Sequence, residues 1–281
     1  NFLIIAYKEL RKLEMDIFKS GQMLNMPNIK LNQFYGIELD DFAHEVAILS
    51  LWLAEHQMNQ EFKKLFGNCT PTLPLKDSGN IVCGNATRLD WEEVCPKNEG
   101  DEIYILGNPP YLGARLQTKE QKEDMNIVFD GIDGFNNLDY ISCWFYKATK
   151  YLQNYSKNQF AFVSTNSITQ GTQVSLLWSH LLNNDIEISF AHQSFKWTNN
   201  AKNNAGVVVV IIGLRNKKNT PKYIFNKEIK IQSKNINPYL IDADNIYIKD
   251  SKVNISNLPI MTYGSMPNDD GNLIISSEDR I

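Results

Sequence analysis

The chain has 281 residues, 43% hydrophobic and 21% charged, a balance that provides for a sizeable core and excludes a disordered or fibrous chain. Its formal net charge of −4 excludes the global basic field of a dedicated electrostatic nucleic-acid binder, though not a local basic groove. The cysteines Cys69, Cys83, Cys95 and Cys143 form no CxxC pair and have no histidine at zinc-ligand spacing, so they read as reduced thiols of a cytoplasmic protein with no metal site, and no apolar run reaches membrane-spanning length.

Over residues 2–18, Phe2, Ile5, Ala6, Leu10, Leu13 and Ile17 recur at helical spacing. The chain opens inside this helix without a cap, which reads as a fragment of a longer protein. A loop at 20–32 leads to a strand at 33–39, whose end carries Glu38, Asp40 and Asp41. The helix expected at 41–65 has an apolar face of Ala43, Val46, Ala47, Leu49, Leu51, Trp52 and Leu53. A loop at 67–80, a short strand at 81–84 and an irregular stretch at 88–101 precede an apolar strand at 103–107. Residues 112–137 are charged and contain glycine, and are expected to form a mobile segment over a site. An aromatic-rich helix at 139–152, capped by Asn137 or Asp139, is followed by a strand at 159–164, a helix at 171–182, a strand at 186–191, a polar turn at 199–204 and a strand at 207–212.

Strands alternating with helices predict a mostly parallel α/β sheet. The last two strands have no helix between them and are expected to pair antiparallel at its edge. After residue 222 the pattern changes to short strands and turns, so 1–222 reads as one domain and 223–281 as the start of a second region.

Asn108-Pro109-Pro110-Tyr111 follows the apolar strand directly. Two prolines fix φ and remove two N–H donors, which leaves Asn108 in a rigid backbone at a strand's C-terminal end. Asn108 offers a side-chain carbonyl and Pro109 a main-chain carbonyl, two acceptors for the two N–H groups of an exocyclic amine. Tyr111 adds a flat face for stacking. The alternative is a stiff loop with a capping asparagine. Glu38 can accept from both hydroxyls of a ribose or serve as a helix cap, a task open equally to Asp40 or Asp41. Asn85 can bond an adenine edge or simply shape the turn after Gly84. Phe195 or Trp197 can form a second wall of a base pocket opposite Tyr111, or pack as ordinary loop aromatics; Lys196 and Lys202 read as solvated surface lysines.

In order, these stretches resemble the motif series of class I S-adenosylmethionine-dependent DNA amino-methyltransferases. Asn1-Phe2-Leu3 resembles the tail of the glycine-rich motif, Tyr35-Gly36-Ile37-Glu38 the ribose motif, Cys83-Gly84-Asn85-Ala86 the adenine-edge motif, and Asn108-Pro109-Pro110-Tyr111 the catalytic motif. Phe160 to Asn166 resembles the following strand motif, and Ser194-Phe195-Lys196-Trp197 with its strand the aromatic target-base motif. The order is similar to that of the γ class of adenine-N6 enzymes. The stretch Asp133 to Tyr140 and the tail Met261 to Pro267 resemble single-chain type IIG/IIL restriction–modification enzymes.

The resemblance implies a Rossmann-like class I methyltransferase fold with a mostly parallel sheet and an antiparallel last strand, truncated before the first strand. It implies S-adenosylmethionine as cofactor, held by Glu38, Leu39, Asn85, Ala86 and Asn108. Asn108, Pro109, Pro110 and Tyr111 form the catalytic motif, and Tyr111 and Phe195 stack on a flipped base. The implied partner is double-stranded DNA, with a restriction nuclease domain in the same parent chain an open addition and no membrane involved. The region 223–281 is then the opening of a target-recognition domain. Protein glutamine methylation, cytosine-N4 methylation and a non-catalytic DNA-specificity module stand as alternatives.

Overall fold

The computed structural model describes residues 2–21, 26–67, 79–153, 157–182, 185–197 and 207–249. The predicted turn at 199–204, Lys202, nearly all of the loop at 67–80 and the tail at 261–267 lie outside them. The chain divides into a unit of residues 1–248 and a second of 249–281, and the described helices and strands all belong to the first.

Helix α1 (Phe2–Lys19) packs with α2 (Asp41–Phe66). Helix α2 is capped at both ends. The Asp40 carboxylate accepts from the Ala43 N–H at 2.8 Å, and Gly67, at φ 81°, donates its N–H to the Lys63 carbonyl at 2.9 Å. The faces that meet differ from the stripes read in the sequence. Tyr7, Met15 and Phe18 of α1 join Leu51, Met58 and Phe62 of α2 in a small core, with Leu31 and Phe34. Phe2, Ile5, Leu10, Leu13 and Ile17 are exposed, as are Val46, Leu49 and Leu53; of the face expected for α2, only Leu51 is fully buried. The reason is polar. Arg11 and Glu14 lie on the buried face of α1 because each finds partners there. Arg11 donates to the Tyr7 hydroxyl and to Asn59 Oδ1 and pairs with Glu14, which also accepts from the Asn28 and Ile29 N–H groups.

The strands among the described residues are, in chain order, β1 (Tyr35–Glu38), β2 (Asn80–Cys83), β3 (Tyr104–Gly107), β4 (Gln159–Thr165), β5 (Ile186–Lys196), β6 (Val208–Asn216), β7 (Lys222–Asn226) and β8 (Ile229–Ser233). Strands β1 and β2 form a two-stranded parallel sheet. The others form a six-stranded mixed sheet in the order β3-β4-β6-β5-β7-β8. Pairs β3/β4 and β5/β7 are parallel; β4/β6, β5/β6 and β7/β8 are antiparallel. Strands β5 and β6 pair antiparallel as expected, but not at an edge. Strand β6 lies between β4 and β5, and β7 covers β5. The apolar run of β6 buries Val209, Val210, Ile212 and Leu214, which suits an interior strand covered on both faces. Strands β7 and β8 carry the sheet on past residue 222.

The segment expected to be mobile is built into the core instead. It contains a short helix, α4 (Lys119–Val128), after the one-turn helix α3 (Trp91–Val94). A reciprocal cap between Thr118 and Gln121 starts α4. Met125, Val128 and Phe129 recur at helical spacing and are buried against the next helix, α5 (Ser142–Leu152). Helix α5 begins later than predicted because Asp139 stays outside it, its carboxylate accepting from the Ile141 N–H and its carbonyl from the Ser142 hydroxyl. A composite helix, α6, is α-helical over Gly171–Gln173, π-helical over Val174–Trp178 and α-helical again over Ser179–Leu181. The main core centres on Phe145, edge-on to Phe162 at 5.4 Å and beside Trp178, whose indole N–H donates to the Ile168 carbonyl at 2.7 Å.

Candidate active site

Parallel pairing of β3 with β4, in the register Gly107 opposite Phe162, delivers Asn108 at the C-terminal end of the sheet. Asn108 is exposed, Pro109 is buried, and Tyr111 is half-buried against the main core. Neither the Asn108 side chain nor the Pro109 carbonyl has a hydrogen-bond partner among the described residues. Both acceptors of the predicted pair are therefore open. The loop's exit is fixed. The Leu112 N–H donates to Asp139 Oδ1 at 2.8 Å, and the Leu112 carbonyl accepts from the Tyr140 N–H at 3.0 Å and from Gln117 Nε2 at 3.1 Å. Burial pushes the Asp139 carboxyl above its ordinary range, against the hydrogen bonds from the Ile141, Leu112 and Tyr140 main chain.

The second cluster ends the small sheet. Glu38 stands in register with Cys83, and the Gly84 N–H donates to the Glu38 carbonyl at 2.8 Å, so Glu38 adjoins the turn that starts at Asn85. Asp40 caps α2, which frees Glu38 from that task. One Glu38 carboxylate oxygen accepts from the Leu39 and Asp40 N–H groups, at 2.9 and 3.3 Å; the other has no partner among the described residues. The Leu39 side chain is 70% exposed beside it.

Asn85 is committed to its turn. Its Oδ1 accepts from the Thr87 N–H and hydroxyl at 2.9 and 2.7 Å, and its Nδ2 donates to Asp124 at 3.0 Å. The turn role weighed in the sequence is thus filled, and one amide hydrogen of Asn85 remains. The Ala86 N–H is open among the described residues, while the Ala86 carbonyl accepts from the Trp91 indole at 2.8 Å. Lys147 of α5 braces the same turn, donating to the Thr87 and Leu89 carbonyls at 2.9 and 2.6 Å.

Phe195 sits near the end of β5, opposite Val209 of β6, and Thr165 at the end of β4 faces the same Val209 from the other side. The register therefore places Phe195 at the end of the sheet that carries the loop after β3. It is 36% exposed, a loosely covered aromatic and not a packed one. A bulge between His192 and Phe195 precedes it. The sequence assigns no role to Asp124, Tyr140 and Lys147, and to Asp139 only that of a helix cap. Asp139 and Tyr140 stand in one of the stretches that carry the resemblance, but the partners of Asp124 and Lys147 lie far along the chain.

Residues 1–226 match the model of the MmeI DNA-methyltransferase domain. The chain belongs to that family. DNA methyltransferase A of Bacillus subtilis (strain 168) is 52% identical over 285 residues, which cover 98% of this chain and 32% of that protein. The solved type IIL restriction–modification enzyme MmeI, in complex with DNA, superposes with a TM-score of 0.88 at 41% identity, over 99% of this chain and 39% of that one. The chain thus spans about a third of the first relative's length and about two-fifths of the second's, and the fold is the Rossmann-like methyltransferase fold that its motifs resemble.

Proposed function

We propose that the chain is the methyl-transferring part of a restriction–modification enzyme, acting on the N6 amine of adenine in DNA with S-adenosylmethionine as donor. The observation that carries this reading is the open pair of acceptors, Asn108 Oδ1 and the Pro109 carbonyl, on a loop stiffened by two prolines and clamped at Leu112.

The donor, when bound, supplies an electrophilic methyl group on a sulfonium. The residues present suit such a ligand. The free oxygen of Glu38 meets ribose hydroxyls, the open Ala86 N–H and the remaining Asn85 amide hydrogen meet an adenine edge, and Leu39 offers an apolar cover. On the other side, an aromatic amine is a poor nucleophile because its lone pair is shared with the ring. Asn108 and Pro109 hold both of its hydrogens and stabilise the positive charge that develops on nitrogen as it attacks. Within a duplex that amine is out of reach, so the base leaves the stack and lies against Tyr111 and Phe195. The enzyme works in the cytoplasm, with target recognition supplied from residue 223 onward and a restriction nuclease domain in the same parent chain.

Asn108→Ala tests this in the full-length protein. Turnover is expected to fall by about 100-fold or more, the usual cost of a lost charge-stabilising partner, while S-adenosylmethionine binding by calorimetry, shared with Glu38, Leu39, Asn85 and Ala86, falls by much less. Wild-type turnover in the variant would refute the role of Asn108.

A further inference from the structure

Asp124 lies on α4, in the segment between the candidate catalytic loop and Asp139, and no step above uses it. It is 2% exposed. Three side chains from other parts of the chain converge on its carboxylate. Arg88 Nε donates to Oδ1 at 2.6 Å, and Asn85 Nδ2 and the Tyr140 hydroxyl donate to Oδ2 at 3.0 and 2.6 Å. Asn85 and Arg88 belong to the turn after β2. Tyr140 belongs to the clamp, since its main-chain N–H holds the Leu112 carbonyl directly after Tyr111. One buried carboxylate therefore ties the cofactor turn to the loop that presents Asn108.

We propose that Asp124 is a positioning residue for methyl transfer, setting the cofactor turn through Asn85 and the amine-holding loop through Tyr140 and Leu112. This rests on the reading of those two loops given above. Holding the fold together does not by itself call for this arrangement, because a buried ionic group is often replaced by apolar packing at no loss of stability. What the carboxylate supplies is direction. All three partners donate, so a group that only accepts orients each of them. In particular it turns the Asn85 amide so that Oδ1 faces Thr87 and a spare N–H is left.

The test uses the full-length protein, with DNA methylation kinetics, S-adenosylmethionine calorimetry and thermal melting on each variant. Asp124→Asn replaces one accepting oxygen with an NH2 group, so either Arg88 or Asn85 in the cofactor turn loses its acceptor; Asn85→Asp sets carboxylate against carboxylate and removes the amide hydrogen offered to adenine. Each single change is expected to raise the KM for S-adenosylmethionine about tenfold, the effect of one misplaced charged hydrogen bond. The double variant Asn85→Asp/Asp124→Asn again faces one donor with one acceptor, so it is expected to melt higher than Asn85→Asp, while its KM stays raised because a carboxylate at position 85 offers adenine no N–H. Tyr140→Phe removes a single hydroxyl and is expected to lower kcat with little change in the KM for S-adenosylmethionine.

Folded Asp124→Asn with wild-type KM for S-adenosylmethionine overturns the proposal, as does a double variant that melts no higher than Asn85→Asp. Where Asp124→Asn does not fold, folded Tyr140→Phe decides: wild-type kcat overturns the proposal, and a selective loss of kcat supports it. A wild-type protein that methylates no DNA defeats the proposed function, and this inference falls with it. An active wild type with indifferent variants defeats the inference alone.

Discussion

At the scale of single residues, the site divides into groups left open and groups held. Asn108, the Pro109 carbonyl and one oxygen of Glu38 have no partners among the described residues; Leu112 and Asp124 are held on every side, Asp139 is held through Oδ1, and Asn85 keeps one amide hydrogen. That division allows two predictions. Phe195 is loosely covered, so Phe195→Ala is expected to leave thermal stability almost unchanged. If it stacks on the target base, the KM for DNA should rise by between about fivefold and a hundredfold, as a loss of roughly 1–3 kcal/mol implies. A drop in melting temperature with unchanged KM would assign Phe195 to packing.

The second concerns pH. Burial pushes the Asp124 carboxyl up, but the hydrogen bonds from Tyr140, Asn85 and Arg88, with the Arg88 charge, outweigh it and hold the group below its usual range. The other charges nearby are Glu123, 3.9 Å from the Arg88 guanidinium, and Glu120, whose carboxylate feels both Arg88 and Asp124. A carboxyl depressed by folding adds stability that is fully present above its unfolded value and lost as pH falls through its lower folded value. The melting difference between wild type and Asp124→Asn is therefore expected to be constant near neutrality and to shrink only in acid. A difference that grows in acid would contradict the assignment.

At the scale of elements, local patterns located most strands and helices but not what covers them. Tyr35-Gly36-Ile37-Glu38 and Ile105-Leu106-Gly107 are short apolar runs beside turn residues, and such runs read well from sequence. The helices misled because periodicity shows that an apolar stripe exists, not that it is buried. In α1 the buried face includes Arg11 and Glu14, whose mutual satisfaction depends on Asn59 and the backbone at 28–29. Leu51→Ala is accordingly expected to cost about 2–5 kcal/mol. Leu13→Ala is expected to stay within about 0.5 kcal/mol. Urea denaturation of the two variants checks this, and equal losses would contradict the assigned faces. Within the large sheet, Gly213 lies under the Phe190 ring, where any added Cβ would clash. Gly213→Ala is expected to destabilise by about 1–3 kcal/mol, and Phe190→Ala in the same chain to relieve part of that loss.

Across the whole molecule, the chemistry-bearing motifs were legible because each is contiguous and ends a strand. The brackets that hold them were not. Asp124 reaches Asn85 and Arg88 across 39 and 36 positions, and Lys147 reaches Thr87 across 60. No local spacing encodes such contacts; they follow from the docking of α4 and α5 beside the turn after β2. The segment 112–137 illustrates the same point. Its charged surface residues suggested a loose cover, while Gln117, Asp124, Met125 and Phe129 make it the brace between two candidate loops.

The most direct measurement is transfer of labelled methyl from S-adenosylmethionine to DNA of mixed sequence by the full-length protein, followed by digestion to nucleosides. Label is expected in N6-methyladenine, abolished by Asn108→Ala. Label in N4-methylcytosine would keep the acceptor pair and contradict the base; label absent from DNA but present in added protein would contradict the central claim.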